Sequence, residues 1–197
     1  MILGVDSEQR LAALNEVLIG GVEKRAIRIV DWQPQWVESF ELHRRRLTCA
    51  LGETARRIEH VGSTSVPGLA AKAIVDILVA VSDPDDEAGF APSMVEAGYV
   101  LRVREPGHRL FRTHKRDVQV HFWKSGSNDE RRHVLFRDWL RQSKNDCHLY
   151  EMTKRELAKQ DWPDTNFYAD AKSEVITQIM ERADTWAKQS GWTLSSD

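Results

Sequence analysis

One run constrains this chain more than any other: Ala73-Ile74-Val75-Asp76-Ile77-Leu78-Val79-Ala80-Val81, apolar and β-branched throughout except for a single acid. Such a run is predicted to be a central strand. A carboxylate inside it needs a partner, because an isolated charge taken out of water is costly. A cation, a metal or convergent hydrogen-bond donors would each serve, and Asp76 is therefore the first candidate site residue. The alternative is a purely structural acceptor role within the strand.

The surrounding pattern places this strand in an α+β chain. Leu11 to Ile19 forms a short amphipathic stretch closed by Gly20-Gly21, and Ile27-Arg28-Ile29-Val30 has strand composition. Trp36, Phe40, Leu47 and Leu51 share helical spacing, and Arg57-Ile58-Glu59-His60-Val61 alternates like a strand. After the central run, Asp83-Pro84-Asp85-Asp86-Glu87 supplies an acidic loop. Strand-like pieces follow at Tyr99–Arg104, Leu110–Thr113 and Val118–Trp123. From Asn128 onward the periodicity is helical. One face carries Val134, Leu135, Trp139 and Leu140, a second Leu149, Met152 and Leu157, and a third Val175, Ile176, Ile179, Met180, Ala183 and Trp186. Strands followed by an all-helical third is an α+β arrangement.

Gly62-Ser63-Thr64-Ser65 breaks the chain between two predicted strands. Small residues there let backbone N–H groups and hydroxyls approach a phosphate, although the same composition also suits a plain turn. Arg102, Arg104, Arg109, Arg112, Lys115 and Arg116 are opposed between them only by Glu105. That field suits phosphates or carboxylates, or else protects a hairpin edge. Arg104 and Arg109, flanking Pro106-Gly107, are the favoured pair. Lys72 could neutralise a phosphate or simply solvate the helix end. His60 and His121 fall in strands, as ligands or as satisfied histidines. Tyr168 and Lys172, four apart, are read as one helix face that folds over a ligand or packs the helical third.

Composition narrows the function classes. The 28 Lys and Arg against 30 Asp and Glu leave a net charge of −2, so no basic excess points to nucleic acid. No stretch reaches the ~20 apolar residues of a membrane helix, and Asp6, Glu8 and Arg10 interrupt any leader-like start. Cys49 and Cys147, each in a helical segment, suggest neither a disulfide nor a metal cluster. The expectation is a cytoplasmic protein whose phosphate chemistry, where present, comes from a local site.

The stretch from Ile58 through Gly62-Ser63-Thr64-Ser65-Val66-Pro67-Gly68, Lys72 and Asp76 to Val79 resembles the signature of the GrpB family, an uncharacterised protein family. The likeness continues at Asp31, Pro34-Gln35-Trp36, Gly98-Tyr99, Val118-Gln119-Val120-His121 and Phe136-Arg137-Asp138-Trp139-Leu140. It ends with Tyr150, Lys154, Tyr168 and Lys172. It spans roughly residues 27–187. The resemblance implies a polymerase-β-like nucleotidyltransferase fold: a small mixed sheet with helices packed on it and a helical C-terminal extension. On that basis residues 1–26 are an N-terminal helical extension, 27–125 the αβ core and 126–197 a helical part packed on it.

What the resemblance implies for function is nucleotide-dependent transfer to, or activation of, a small molecule. The alternative is a non-catalytic binding or accessory domain, since similar sequences also occur joined to dephospho-coenzyme A kinases. Active members of the superfamily carry a second acid two positions after the first and a third on a later strand. Here those positions hold Leu78, and Gln119 with His121. The expected site comprises Asp76 and His121 as catalytic groups. Gly62, Ser63, Thr64, Ser65, Lys72, Arg104, Arg109, Gln119, Tyr168 and Lys172 are expected around a nucleotide or other phosphorylated small molecule. A divalent metal, Mg²⁺ or Mn²⁺, would be held by Asp76 with Glu59.

Overall fold

In the computed structural model, which describes residues 7–194, the apolar run becomes strand β2 (Val75–Val81), covered on both faces. It belongs to a five-stranded mixed sheet with β1 (Arg57–Val61), β3 (Tyr99–Glu105), β4 (His108–Thr113) and β5 (Val118–Lys124), in the order β1-β2-β5-β4-β3. Only the β2–β5 pair is parallel, with Asp76 opposite Gln119 and Leu78 opposite His121. The α+β expectation is met.

The period of two along β2 decides what each face does. Val75, Ile77, Val79 and Val81 join Phe111, Val118, Val120 and Phe122 in the main core. Helices α2 (Gln35–Leu51) and α3 (Ala91–Glu96) cover that face through Trp36, Phe40, Leu47, Leu51 and Met94. Leu78 and Ala80 face the other way and pack with Val61 against Val134 of α4 (Asn128–Gln142). Asp76 shares this second face. Helices α5 (Lys144–Leu157), α6 (Thr165–Asp170) and α7 (Ser173–Ser190) complete the layer. Helix α7 buries Val175, Ile179, Met180, Ala183 and Ala187 along one stripe and ends at Gly191 in the left-handed conformation. Among the described residues no helix is long and apolar enough to cross a membrane.

Three local expectations change. The Ile27–Val30 segment makes only one rung, Val30 with Ala71, because the chain turns at once into α2. Tyr168 and Lys172 do not share a helix: Tyr168 lies on α6, and Lys172 caps the start of α7. The expected apolar face of α5 also changes, with only Leu157 of its three residues half-buried. Leu149 and Met152 are exposed, while Asp146, Tyr150 and Lys154 point inward. Asp146 is satisfied there by Trp139 Nε1 at 2.7 Å and by Arg182 Nη2 at 2.7 Å.

The N-terminal extension, helix α1 (Ser7–Val17) and the strap after it, is tied to the sheet edge and to the α5–α6 connection. Ile19 N–H donates to Arg102 O at 2.9 Å, and Glu23 N–H donates to Asp164 Oδ2 at 2.6 Å. Lys24 and Arg10 pair with Asp161 and Asp170.

The helical layer is fastened to β1 by Arg137. Its Nη1 donates to Glu59 Oε2 at 2.6 Å and to His60 O at 3.1 Å, and its Nε donates to Asp138 at 2.8 Å. Arg137→Met keeps the stem and removes the hydrogen bonds to partly buried charged groups. It should cost about 1.5–3 kcal/mol, read as a lower urea midpoint with an unchanged slope.

Candidate functional site

Between the second face of the sheet and the C-terminal helices lies a cavity of about 450 Å³, within the usual range for small-molecule sites. Its floor is the end of β1, the turn after it, and β2 and β5. Its walls are α4, α5, α6 and the start of α7.

Gly62 makes the floor possible. It ends β1 with φ +67, a conformation glycine adopts without penalty, and a Cβ there would overlap Asp76 Oδ2 and come within 3.0 Å of the Asp76 Cβ. The following turn is scaffolded by its own hydroxyls. Ser65 Oγ donates to Gly62 O at 2.6 Å, and Thr64 Oγ1 meets His60 Nε2 at 3.0 Å. Trp32 Nε1 donates to Thr64 O, and Arg141 donates to Ser65 O. Ser63 is left to face the cavity, where Lys154 Nζ donates to its Oγ at 3.0 Å and also to Ala70 O.

Asp76 remains open to the cavity, its side chain 30% exposed, with His121 Nε2 at 3.7 Å. Burial would raise its carboxyl, but the His121 ring and the ammonium groups of Lys72 and Lys172 outweigh that and hold it below the ordinary range. A second line of contacts runs behind His121. Glu105 Oε1 accepts from His108 Nδ1 at 2.6 Å, and His108 Nε2 lies 3.2 Å from His121 Nδ1. With Glu105 accepting from the Nδ1–H of His108, the Nε2 of His108 is left to accept from His121 Nδ1–H, and the other ring nitrogen of His121 is the one that faces Asp76.

The walls are cationic. Lys72, Lys154, Lys172 and Arg132 line the cavity, with Asp76 its one carboxylate among the described residues. Burial and Lys172 push the Lys154 ammonium down to about 7, and the same two causes push Lys72 down to about 8. Lys172 is lowered by burial although Asp76 opposes the shift. Lys72 and Lys172 sit over the Tyr168 ring at 5.3 and 4.9 Å. Burial also holds His133 down to about 3, so its ring in the wall is neutral.

Of the residues expected from sequence, Gly62, Ser63, Thr64, Lys72, Asp76, Gln119, His121, Tyr168 and Lys172 line this one cavity. Ser65 supports the turn from beneath. Glu59 is not beside Asp76: it is opposite Leu78 on β1 and is engaged by Arg137. Arg104 and Arg109 do not reach the cavity either. They sit near the β3–β4 turn, where the acidic loop takes them up: Arg104 pairs with Glu87 at 2.7 Å, and Arg109 pairs with Asp85 at 2.8 Å. Lys154, Tyr150, Arg132 and His133 were missed as site residues. The clue lay in α5, where Tyr150 and Lys154, four apart, sit on a face whose neighbours Leu149 and Met152 turn outward.

Because the folded protein holds the Lys154 proton less tightly than the unfolded chain does, the unfolded chain binds more protons from about pH 7 to about pH 10. This group's contribution to stability therefore rises with pH across that window. Thermal melts of wild type and Lys154→Met should show the wild type gaining relative to the variant between pH 7 and 9. Parallel curves would contradict the depressed ammonium.

The family model described as GrpB protein matches residues 26–182. The chain is 51% identical over 166 residues to a UPF0157 protein of Streptomyces coelicolor, covering 84% of this chain and 89% of that one. It is 41% identical over 175 residues to a UPF0157 protein of Halalkalibacterium halodurans, covering 86% and 90%. A crystal structure of the conserved protein GrpB from Enterococcus faecalis is similar with TM-score 0.70 at 31% identity, covering 79% of this chain and 96% of that one. With its sheet, its helical layer and its signature turn in place, the chain belongs to the GrpB family.

Proposed function

We propose that the cavity binds a nucleotide or another phosphorylated small molecule, with a phosphate against Ser63, Lys72, Lys154 and Lys172. The observation that carries this reading is the charge imbalance. Three lysines and Arg132 are gathered around one carboxylate, and two of the lysines are depressed toward neutral pH by burial and mutual repulsion. A preorganised cluster of this kind costs stability in the free protein and gains it back when an anion arrives.

The scaffold supports a polymerase-β-like reading at one point: the Gly62-Ser63 turn after β1 lies directly beside the acid of β2. It departs at the second acid position. Leu78 is fully buried against Val134, so no carboxylate can stand there without repacking α4. The donor set does not fit a two-metal clamp, which needs shared carboxylates. Asp76 is the only lining acid among the described residues, and Glu59 is spent on Arg137.

A second reading, transfer of a nucleotidyl group to a small acceptor, is favoured by the Asp76–His121 pair. Asp76, oriented by His121 and behind it His108 and Glu105, would accept the proton of an acceptor hydroxyl. The hydroxyl oxygen forms the new bond to phosphorus, and pyrophosphate departs toward the lysines. A binding or accessory role uses the same pocket without that step.

Calorimetry with inorganic phosphate and with ATP, GTP, CTP and UTP, with and without Mg²⁺ or Mn²⁺, tests the shared part. Lys154→Met should weaken binding by about tenfold or more, the loss of one charge-assisted contact. Asp76→Asn should leave metal-free affinity unchanged or improved, because the one lining carboxylate among the described residues is removed, while ending any pyrophosphate release. Absence of binding by every probe would remove the reading. Since anions favour the charged lysines, binding near pH 8 should take up roughly one to one and a half protons, shown by different heats in buffers of different ionisation enthalpy, and little at pH 6.

A further inference from the structure

A second, smaller cavity of about 60 Å³ adjoins the first, sharing Lys72, Ile74 and Gln119 with it. Arg25, Arg102, Arg112 and Arg116 line it, and Glu23 is its one carboxylate among the described residues. Arg112 grips Glu23 in bidentate fashion, Nη2 to Oε1 at 2.7 Å and Nη1 to Oε2 at 2.9 Å. Arg116 Nη1 adds a third contact at 3.0 Å from a left-handed backbone position, φ +62, uncommon for a residue with a side chain. Arg102 spans the Ile19 and Gly21 carbonyls at 2.6 Å each. Together these contacts hold the Glu23 carboxyl down to about 2, the Arg112 hydrogen bond being the largest cause.

The arginines and the carboxylate have different origins in the chain. Arg102, Arg112 and Arg116 lie on β3, β4 and the turn before β5, inside residues 26–182 matched by the family model. Glu23 arrives from the N-terminal extension, outside that match. The fork geometry around it is the one that binds phosphate oxygens as readily as carboxylate oxygens. One carboxylate also leaves an excess of positive charge, since Arg102, Arg112 and Arg116 all act on it.

We propose that this arginine cluster is a second anion subsite continuous with the first, and that Glu23 is its intramolecular occupant, displaced by the distal anionic group of an elongated polyanionic ligand. This rests on the phosphate reading of the larger cavity for the proximal group only. The strap carrying Glu23 is a competitor. It also touches the wall of the first cavity, because Glu23 N–H is bonded to Asp164, whose side chain caps α6 ahead of Tyr168. Displacing Glu23 therefore loosens the strap where it braces α6.

The test uses the full chain, with inorganic phosphate and tripolyphosphate as probes in calorimetry. Glu23→Gln keeps the shape of the side chain and removes its charge. It should tighten tripolyphosphate binding by about tenfold, the gain expected if a plug seated about nine-tenths of the time is removed, and leave the phosphate affinity of the first cavity unchanged. Arg112→Met in the Glu23→Gln background should cancel the gain. In the wild type, saturating tripolyphosphate should speed amide exchange over residues 18–24, and phosphate should not, a readout that needs no variant to fold. Unchanged or weaker tripolyphosphate binding in Glu23→Gln, or exchange that tripolyphosphate leaves unaltered, overturns the proposal. Failure of the first-cavity reading looks different: Lys154→Met would leave phosphate binding untouched, whereas the Arg112-dependent gain in Glu23→Gln would persist.

Discussion

The close approach of the Asp76 carboxyl to Gly62 organises the rest of the structure. The side chain of β2 and the backbone leaving β1 occupy space that any Cβ at position 62 would claim. The missing Cβ lets the strand end press against the acid, and the turn that follows then presents Ser63 rather than Ser65 to the cavity. Acid and hydroxyl loop are thereby two sides of one floor. The positive φ of Gly62 and the parallel pairing of β2 with β5 bring in Gln119 and His121 as the third side.

A protein under selection for stability alone would not line this floor as it does. Lysines with depressed ammonium groups, a carboxylate short of full solvation and a neutral, partly buried His133 are each unfavourable against an apolar wall of similar volume. Helix α5 shows the conflict plainly. It turns Tyr150 and Lys154 inward and leaves Leu149 and Met152 in water, opposite to what burial of apolar area favours. Local rules broken together, around one hollow, are the pattern the proposed binding site would require.

The strands and the long helices could be read from the sequence because their periods are strong. β2 and β5 bury the residues their pattern points to, and α7 buries Val175, Ile179, Met180 and Ala183 of its expected face, with Ile176 and Trp186 half-buried. The Gly62–Ser63 turn and Asp76 were legible for a chemical reason, a charge and small residues where apolar bulk is the norm. Arg104 and Arg109 misled because local density of charge says nothing about partners distant in sequence. Asp85 and Glu87, about twenty residues earlier, fold over the hairpin and neutralise them. Glu59 misled for the same reason through Arg137, 78 positions away. Lys154 was obscured by the opposite effect, since a lysine on an amphipathic helix reads as solvated until the tertiary fold brings Ser63 and the Ala70 carbonyl to it.

The proposed chemistry also follows from what α4 excludes. Packing Val134 on Leu78 and Val61 seals the part of the second sheet face where a further carboxylate would be needed to share divalent ions. Negative charge on a phosphate must then be met by side chains, and the structure gathers them from four places: Lys72 before β2, Arg132 on α4, Lys154 on α5 and Lys172 at the start of α7. Cationic side chains supplied by separate elements neutralise charge without imposing the ordered ligand shell of a metal. If the proposed reading holds, such a pocket would accept phosphate groups in several orientations. Selectivity would then rest on how far a ligand extends past Lys72 and Gln119 toward the arginines now held by Glu23.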